Sequence, residues 1–384
     1  DLICETIYVQ ESGFASSEIL NQIFQKSFQN ALYSSKPNLS LFDALNGNIY
    51  ISSSNDSNGI AESILKKIYT NSFPITKFCS FTEGIHTGAD KVSKKHIKKF
   101  KVEFPVGKGI YVLSKEELSN LRLNREEREM IKPWFKNSDI KKWTANEISE
   151  QYVIYYNSNY KYKNVDNIKT FLKQFKLILI NRKVRSGTGF ISESDYENFV
   201  KGKKYISYIM NHSAFKRGDY YCISYPREEE VFQGMKIVVP QRSYTNKFAY
   251  NNTEWFASAD VYFIKSIELN ISLKYILSIL NSKLYLFLLR EKGKKKGEML
   301  ELYIRPLSQL AIKISPYQEI FIQIVDKILS IKKSNPNAKI IDLENQLDFM
   351  VFKLYNLTYE EVKIIDPNIE KIISKADYER KENI

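Results

Sequence analysis

The chain has 384 residues, 43% hydrophobic and 14% aromatic, which excludes wholesale disorder and allows about two or three compact units. Its net charge is +13, from 57 basic against 44 acidic residues, and no apolar run approaches the roughly 20 residues needed to cross a bilayer. The three cysteines, Cys4, Cys79 and Cys222, are odd in number and far apart, which fits reduced thiols in a cytoplasm and offers no Cys-x-x-Cys metal pair.

The first residues, Asp1-Leu-Ile-Cys-Glu5, have neither the basic start nor the cleavage site of a signal peptide, and the missing initiator Met points to a fragment or a processed chain. Through residue 60 six acidic side chains face two lysines, so the whole basic excess lies beyond. A basic body behind an acidic leader is the electrostatic footprint of a polyanion binder. A lysine-rich genome that raises Lys everywhere is the bland alternative.

In chain order, Ile19, Leu20, Ile23, Phe24, Phe28 and Leu32 predict an amphipathic helix over 17–33, capped by Ser16 or Ser17. The polar run Ser52 to Gly59 reads as a linker, followed by a short helix from Ile60 to about Tyr69. Strands are expected at Gly109–Leu113, Tyr152–Tyr156, Leu177–Ile180, Met235–Val239, Ala259–Ile264 and Leu310–Ile314, with helical insertions between them. Asn124 with Glu127, and Ser194 with Glu197, have capping-box spacing. Ser272–Arg290 reads as one long helix, and Tyr317–Ile331, Ile341–Leu354 and Thr358–Ile365 as the helices of a tail. No internal repeat is present at a period of about 20–50 residues. The expected fold is α+β: an N-terminal segment 1–75, a mixed-sheet body 76–315 with helical insertions, and a helical C-terminal region 316–384.

Catalytic patterns are missing. A methyltransferase needs a glycine-rich turn after a buried strand, and the one candidate, Gly187-Thr-Gly189, reads better as a surface turn. No two prolines are adjacent, so no Asn-Pro-Pro motif exists. Glu361-Val-Lys363 and Glu379-Arg-Lys381 have the spacing of a nuclease but sit in expected helix or tail, as solvated charges do. His86, His96 and His212 lack ligand spacing, and no nucleophile elbow supports a Ser/His/Asp triad.

What remains is basic turns beside polar side chains. Lys91 to Lys101 holds six lysines in eleven residues, suited either to displacing phosphate counterions or to a solvated hairpin face. Arg290-Glu-Lys-Gly-Lys-Lys-Lys-Gly297 follows the long helix, where cations also suit the helix C-terminus. Asn181-Arg-Lys-Val-Arg185 and Gln241-Arg-Ser-Tyr-Thr-Asn-Lys247 each leave an expected strand. Arg and Lys match guanine O6/N7, and Asn or Gln matches adenine N6/N7, so such loops are candidate base readers. Ordinary surface polarity after a strand is the other reading of each residue.

Several strings, in order, resemble the C-terminal specificity (target recognition) domain of TaqI-like and type IIG adenine-specific DNA methyltransferases and restriction–modification enzymes. They are Glu83-Gly-Ile-His-Thr-Gly-Ala-Asp-Lys-Val92, Ile131-Lys-Pro-Trp-Phe-Lys-Asn-Ser-Asp-Ile140, Met235-Lys-Ile-Val-Val-Pro-Gln-Arg-Ser243, Phe256-Ala-Ser-Ala-Asp-Val-Tyr262, Tyr275-Ile-Leu-Ser-Ile-Leu-Asn-Ser-Lys-Leu284 and Leu343-Glu-Asn-Gln-Leu-Asp348, with Val351–Leu357 behind the last. The resemblance covers about residues 76–360. It implies a double-stranded DNA partner and an upstream methyltransferase domain or subunit, which binds S-adenosylmethionine, carries an Asn-Pro-Pro-Tyr-type motif and in some members uses Mg²⁺. This sequence lacks those motifs, so no cofactor is assigned to it. The Gly84–Lys91 turn and the Gln241–Lys247 loop are then expected to face DNA. Base readout falls to His86, Thr87, Arg182, Arg185, Gln241, Arg242 and Asn246. Phosphate contact falls to Lys91, Lys94, Lys95, Lys98, Lys132, Lys183, Lys247, Lys292, Lys294, Lys295 and Lys296. Competing readings are a nuclease or methylase with degenerate motifs, a type I-like specificity subunit, and a non-DNA interaction protein. A salt titration separates the last of these from a DNA binder.

Overall fold

The computed structural model describes residues 59–157, 164–181, 221–268 and 270–381, and before them the short strands Thr6–Val9, Leu32–Ser35, Phe42–Asp43 and Asn48–Ile49. Two units emerge: one of Asp1–Cys79, Ser243–Asn246 and Ile267–Ile384, the other of Ser80–Arg242 and Lys247–Ser266. The α+β expectation holds, with sheets that mix parallel and antiparallel pairs and a helical C-terminal region. Among the described residues no helix is long and apolar enough to cross a membrane.

In the second unit, strand Lys236–Pro240 is buried along its whole length and pairs antiparallel with both Ala249–Asn251 and Val261–Ser266. Burial on both faces explains why its core, Ile237-Val-Val239, reads as an unbroken apolar run. Pro240, which has no N–H to give a ladder, stands at the last position. Trp143–Thr144 adds to the Ala249–Asn251 edge in parallel. A second sheet sets Gln151–Ile154 antiparallel between Val112–Ser114 and Ile131–Phe135, and Phe256–Ala257 joins the last strand in parallel. Aromatic rings fill the core: Phe135 stacks on Trp255 at 4.6 Å, and Phe232 meets Phe256 at 4.5 Å.

The Asn124–Glu127 capping box is present and extends further than its spacing implied. Besides accepting from the Asn124 N–H, the fully buried Glu127 carboxylate accepts from the Asn167 side chain at 2.8 Å and the Ile168 N–H at 2.9 Å. Lys236 is also buried; its ammonium donates to the carbonyls of Gly234 at 2.9 Å and Thr253 at 2.6 Å. Burial, helped by nearby Lys265, pulls its pKa down to about 7.

One expected strand is corrected. Residues 177–180 lie in the helix Lys176–Asn181, which follows directly on the helix Asp166–Lys173. Ile168, Leu172, Phe175, Ile178 and Leu179 are buried in the same core at spacings of three and four, the period of a helix. A four-residue apolar run has no period of its own to reveal this.

In the first unit, helix Ile60–Tyr69 buries Ala61, Ile64, Leu65 and Ile68. Strand Phe73–Pro74 pairs with Ala311–Ile312. The helix expected over 272–290 is two helices, Leu273–Leu280 and Lys283–Lys292. Ser282 breaks it by acting as a new N-cap, its hydroxyl accepting from the Tyr285 N–H, while Asp348 accepts from the Lys283 N–H at 2.7 Å. Gln318–Ser334, Ile341–Leu354 and Tyr359–Ile365 form the expected tail, the last behind the Thr358–Glu361 box. Cys79 and Cys222 are buried and unbonded to one another; burial pushes the Cys79 thiol up to about 12. Of the helix expected over 17–33, residues 17–31 lie outside the described residues and the last two belong to strand Leu32–Ser35. Residues 52–58, the Ser194–Glu197 box, Gly187–Gly189, Cys4 and His212 also lie outside.

Candidate nucleic-acid interface

Within the second unit, three chain segments meet behind the turn that follows strand Cys79–Glu83. Gly84 donates to the Val261 carbonyl at 2.9 Å, and Ile85 to that of Ala257 at 2.8 Å. A Cβ at Gly84 would lie 2.2 Å from the Ser258 carbonyl oxygen, so only glycine permits this approach. His86 and Tyr225 exchange backbone hydrogen bonds at 3.2 and 2.9 Å, which brings in the third segment. Gln241 joins the same assembly: its N–H donates to the Asp260 carbonyl at 2.8 Å and its side-chain amide to the Tyr262 hydroxyl at 3.3 Å. The Gly84–Lys91 turn and the root of the Gln241 loop, separate in sequence, therefore hang from one stretch, residues 256–262.

The side chains at this corner differ in availability. His86 is exposed, with its Nε2 3.2 Å from Glu83 Oε1 and its ring edge-on to the exposed Tyr225 at 5.7 Å. Arg227 also donates to Glu83, through Nη2, and through Nε to the Gly84 carbonyl at 3.3 Å. Thr87 must be corrected as a reader, being 2% exposed. Its hydroxyl donates to Asp90 and accepts from the Ala89 N–H at 3.1 Å, so it fastens the turn from inside. Burial raises the Asp90 pKa, opposed by the Thr87 hydrogen bond and by Lys136 and Lys91, while Asp260 adds to the rise.

Lys94, Lys95 and Lys98 are exposed on the helix Lys94–Phe100, which buries Phe100, so the hairpin face of the alternative reading is a helix. His96 closes a capping box with Ser93: its Nδ1 accepts from the Ser93 N–H at 3.2 Å. Burial and the neighbouring Lys95 lower the His96 pKa, which keeps that acceptor neutral. Lys91 is half-buried and bridges Gly109 through its backbone. Lys132 must be corrected as a phosphate contact: its side chain is 15% exposed and lies 3.2 Å from Glu229 and 3.5 Å from Glu254. Its charge is balanced inside the protein. Lys247 is half-buried, and burial with nearby Lys141 holds its ammonium below the ordinary lysine range. Arg242 is half-buried. Arg182, Lys183 and Arg185 lie outside the described residues, and the element before them is a helix, so the rigid strand end expected at their root is absent.

In the first unit, Asn246 is corrected too. It is 2% exposed, and its side-chain amide donates at 2.8 Å to the carbonyls of both Leu280 and Ser282. Its burial fixes a short turn in which Tyr244, 66% exposed, stands two residues earlier. Lys295 and Lys296 are exposed on a hairpin with Met299–Glu301, turned by Gly297 at φ +59°. Lys294 lies 3.2 Å from Glu301, and Lys292 sits over the Tyr69 ring at 4.6 Å.

Three side chains of interest escaped the sequence reading. Arg227 is followed by Glu228-Glu-Glu230, which makes the segment read as acidic surface. Tyr225 and Tyr244 are aromatic, and a search for hydrogen-bonding readers passes over rings suited to stacking. Among the described residues no group of three or more His, Cys, Asp or Glu side chains is placed to hold a metal ion.

Residues 132–312 match the TaqI-like C-terminal specificity domain, a stretch that includes Arg227, Gln241 and residues 256–262. Among solved structures, the chain is similar to the type IIL restriction-modification enzyme MmeI, solved in complex with DNA, at 13% identity and a TM-score of 0.47, over 80% of this chain and 36% of that one. It is also similar to the type IIG restriction endonuclease BpuSI at 12% identity and a TM-score of 0.37, over 88% of this chain and 38% of that one. The chain thus spans less than two fifths of either enzyme. No curated protein sequence matches it. Over residues 132–312, the chain is thus similar to the TaqI-like C-terminal specificity domain.

Proposed function

We propose that this chain is the sequence-reading part of a DNA restriction–modification enzyme. The observation that carries the reading is the joining of the His86 turn and the Gln241 loop on residues 256–262, largely within the matched specificity domain. A reader needs side chains whose roots are fixed, and backbone hydrogen bonds to one stretch supply that. His86, Gln241 and Arg242 are the accessible or half-accessible base contacts of this reading, with Arg182 and Arg185 added from outside the described residues. Phosphate contact falls to Lys91, Lys94, Lys95, Lys98, Lys183, Lys247, Lys292, Lys294, Lys295 and Lys296. Such contacts set register and affinity without reading sequence.

In this proposal residues 76–315 form the recognition domain, 316–384 a helical accessory region, and 1–75 the end of a preceding domain with its linker. The catalytic partner is an adenine-specific (N6) methyltransferase domain or subunit of the type IIG kind, acting in the cytoplasm. It would supply S-adenosylmethionine and, where cleavage accompanies methylation, Mg²⁺. The recognition domain would close on the duplex opposite it while the target base leaves the stack.

The test is selection from a randomised duplex pool with the full chain, followed by anisotropy titration over a salt series. A preferred sequence and a steep fall in affinity with salt are expected. Equal binding to all duplexes, or none at low salt, would overturn the proposal.

A further inference from the structure

We propose that Arg227 reads a guanine, held in reading position by Glu83; this rests on the DNA-recognition reading above. Arginine carries five N–H donors in a planar fork. Nε donates to the Gly84 carbonyl at 3.3 Å and Nη2 donates to Glu83 Oε1, so one side of the fork is fixed by the protein. The end of the fork, with one N–H from Nη1 and the second N–H of Nη2, has the spacing of two in-plane acceptors, which O6 and N7 of guanine provide and adenine, with its N6 donor, does not.

Four further observations single out this residue. The backbone at Arg227 has φ +64°, a left-handed conformation that L side chains rarely adopt. It persists because the Tyr155 hydroxyl donates to the Arg227 carbonyl and the guanidinium is held from the other side. Strain of this kind, fixed by surrounding contacts, is characteristic of functional positions. The Arg227 side chain is 28% exposed, so it is neither core nor a free surface cation, and the exposed His86 and Tyr225 stand beside it. Glu83 also decides between a base and a phosphate as the ligand. A carboxylate against the guanidinium cancels the attraction that a phosphate would exploit and leaves the directional donors, which select by geometry.

The test uses the full chain and the duplex it selects. Each guanine of that duplex is replaced in turn by 7-deazaguanine, which lacks the N7 acceptor, and binding is read by anisotropy at one salt concentration. One position should cost the wild type on the order of ten-fold. Arg227→Ala should be indifferent to that substitution and lose the preference for guanine there, while its affinity for an unrelated duplex stays within about two-fold. Glu83→Gln should weaken the same preference without moving it to another position. The proposal is overturned if no guanine is sensitive in the wild type, a result that needs no variant to fold, or if Arg227→Ala keeps the wild-type preference throughout. A wild type that binds no duplex at all would remove the DNA reading itself, and a wild type that selects a sequence while ignoring N7 would remove only this inference.

Discussion

Asn246 donates its side-chain amide to Leu280 and to Ser282, both at 2.8 Å, at the step between two helices. A side chain that sequence reasoning places against DNA is instead the bolt that holds its own loop to the helices beneath. Asn246→Ala takes its donor from the buried Leu280 carbonyl, while the Ser282 carbonyl still accepts from the Leu286 N–H at 3.1 Å, and is expected to cost about 1–3 kcal/mol, read as a lower midpoint in urea unfolding. Asn246→Asp, nearly the same shape without the amide donors, should cost at least as much. A midpoint unchanged in both variants would show that the loop is held by something else.

Glu127 offers the parallel case in the second unit, since it caps one helix and accepts from Asn167 and Ile168 near the start of another. Glu127→Ala should destabilise by about 2–4 kcal/mol, because three donors lose a buried charged acceptor. Asn124→Ala removes only the cap and should cost about 1 kcal/mol. The ratio between the two, measured in the same denaturant series, is the informative quantity.

Lys94, Lys95 and Lys98 are exposed and form no ion pair among the described residues. Replacing all three with Gln should leave the selected sequence unchanged and flatten the dependence of log affinity on log salt by about 0.9 for each phosphate that the variant no longer neutralises. An unchanged slope would remove this helix from the phosphate interface.

Lys236 gives the fold a pH dependence of its own. Its folded pKa is about 7 against an ordinary 10.5. Between those values the unfolded chain binds a proton that the folded chain does not, so stability rises with pH across that window and is flat, from this group, below it. The steepest rise should be about 1 kcal/mol per pH unit. Lys236→Met removes the titrating group and also leaves the Gly234 and Thr253 carbonyls without this donor, so its stability should lack the rise with pH whatever its absolute value. Chemical denaturation at intervals from pH 6 to about pH 9.5 checks both statements, and parallel curves for the two proteins would contradict them.

Elements with a clear period were legible in the sequence. Helices Ile60–Tyr69 and Ile341–Leu354 present enough apolar positions at helical spacing to fix their type and limits, and Thr358 with Glu361 marks a helix start chemically. Residues 177–180 were not, because a short apolar run suits a buried strand and a buried helix turn equally until Ile168, Leu172 and Phe175 are seen in the same core. The break at Asn281-Ser282 was hidden by apolar residues that keep helical spacing across it. For the interface, composition identified the kind of side chain and could not report its surroundings. Asn246, Thr87 and Lys132 have the right chemistry for DNA and are engaged internally, by Leu280 and Ser282, by Asp90, and by Glu229 and Glu254. Arg227 has that chemistry too, and its setting depends on Glu83, 144 positions away in the chain.

The two buried thiols have a practical consequence for studying this molecule. Cys79 belongs to one unit and Cys222 to the other. Alkylating reagents attack the thiolate, and a thiol sealed from solvent is protected until its surroundings open. With Cys4 replaced by Ser, modification rates at the two sites, resolved by peptide mass spectrometry, become separate clocks for the opening of each unit. Equal rates across a denaturant series would reveal one cooperative body, and rates that diverge would reveal which half gives way first.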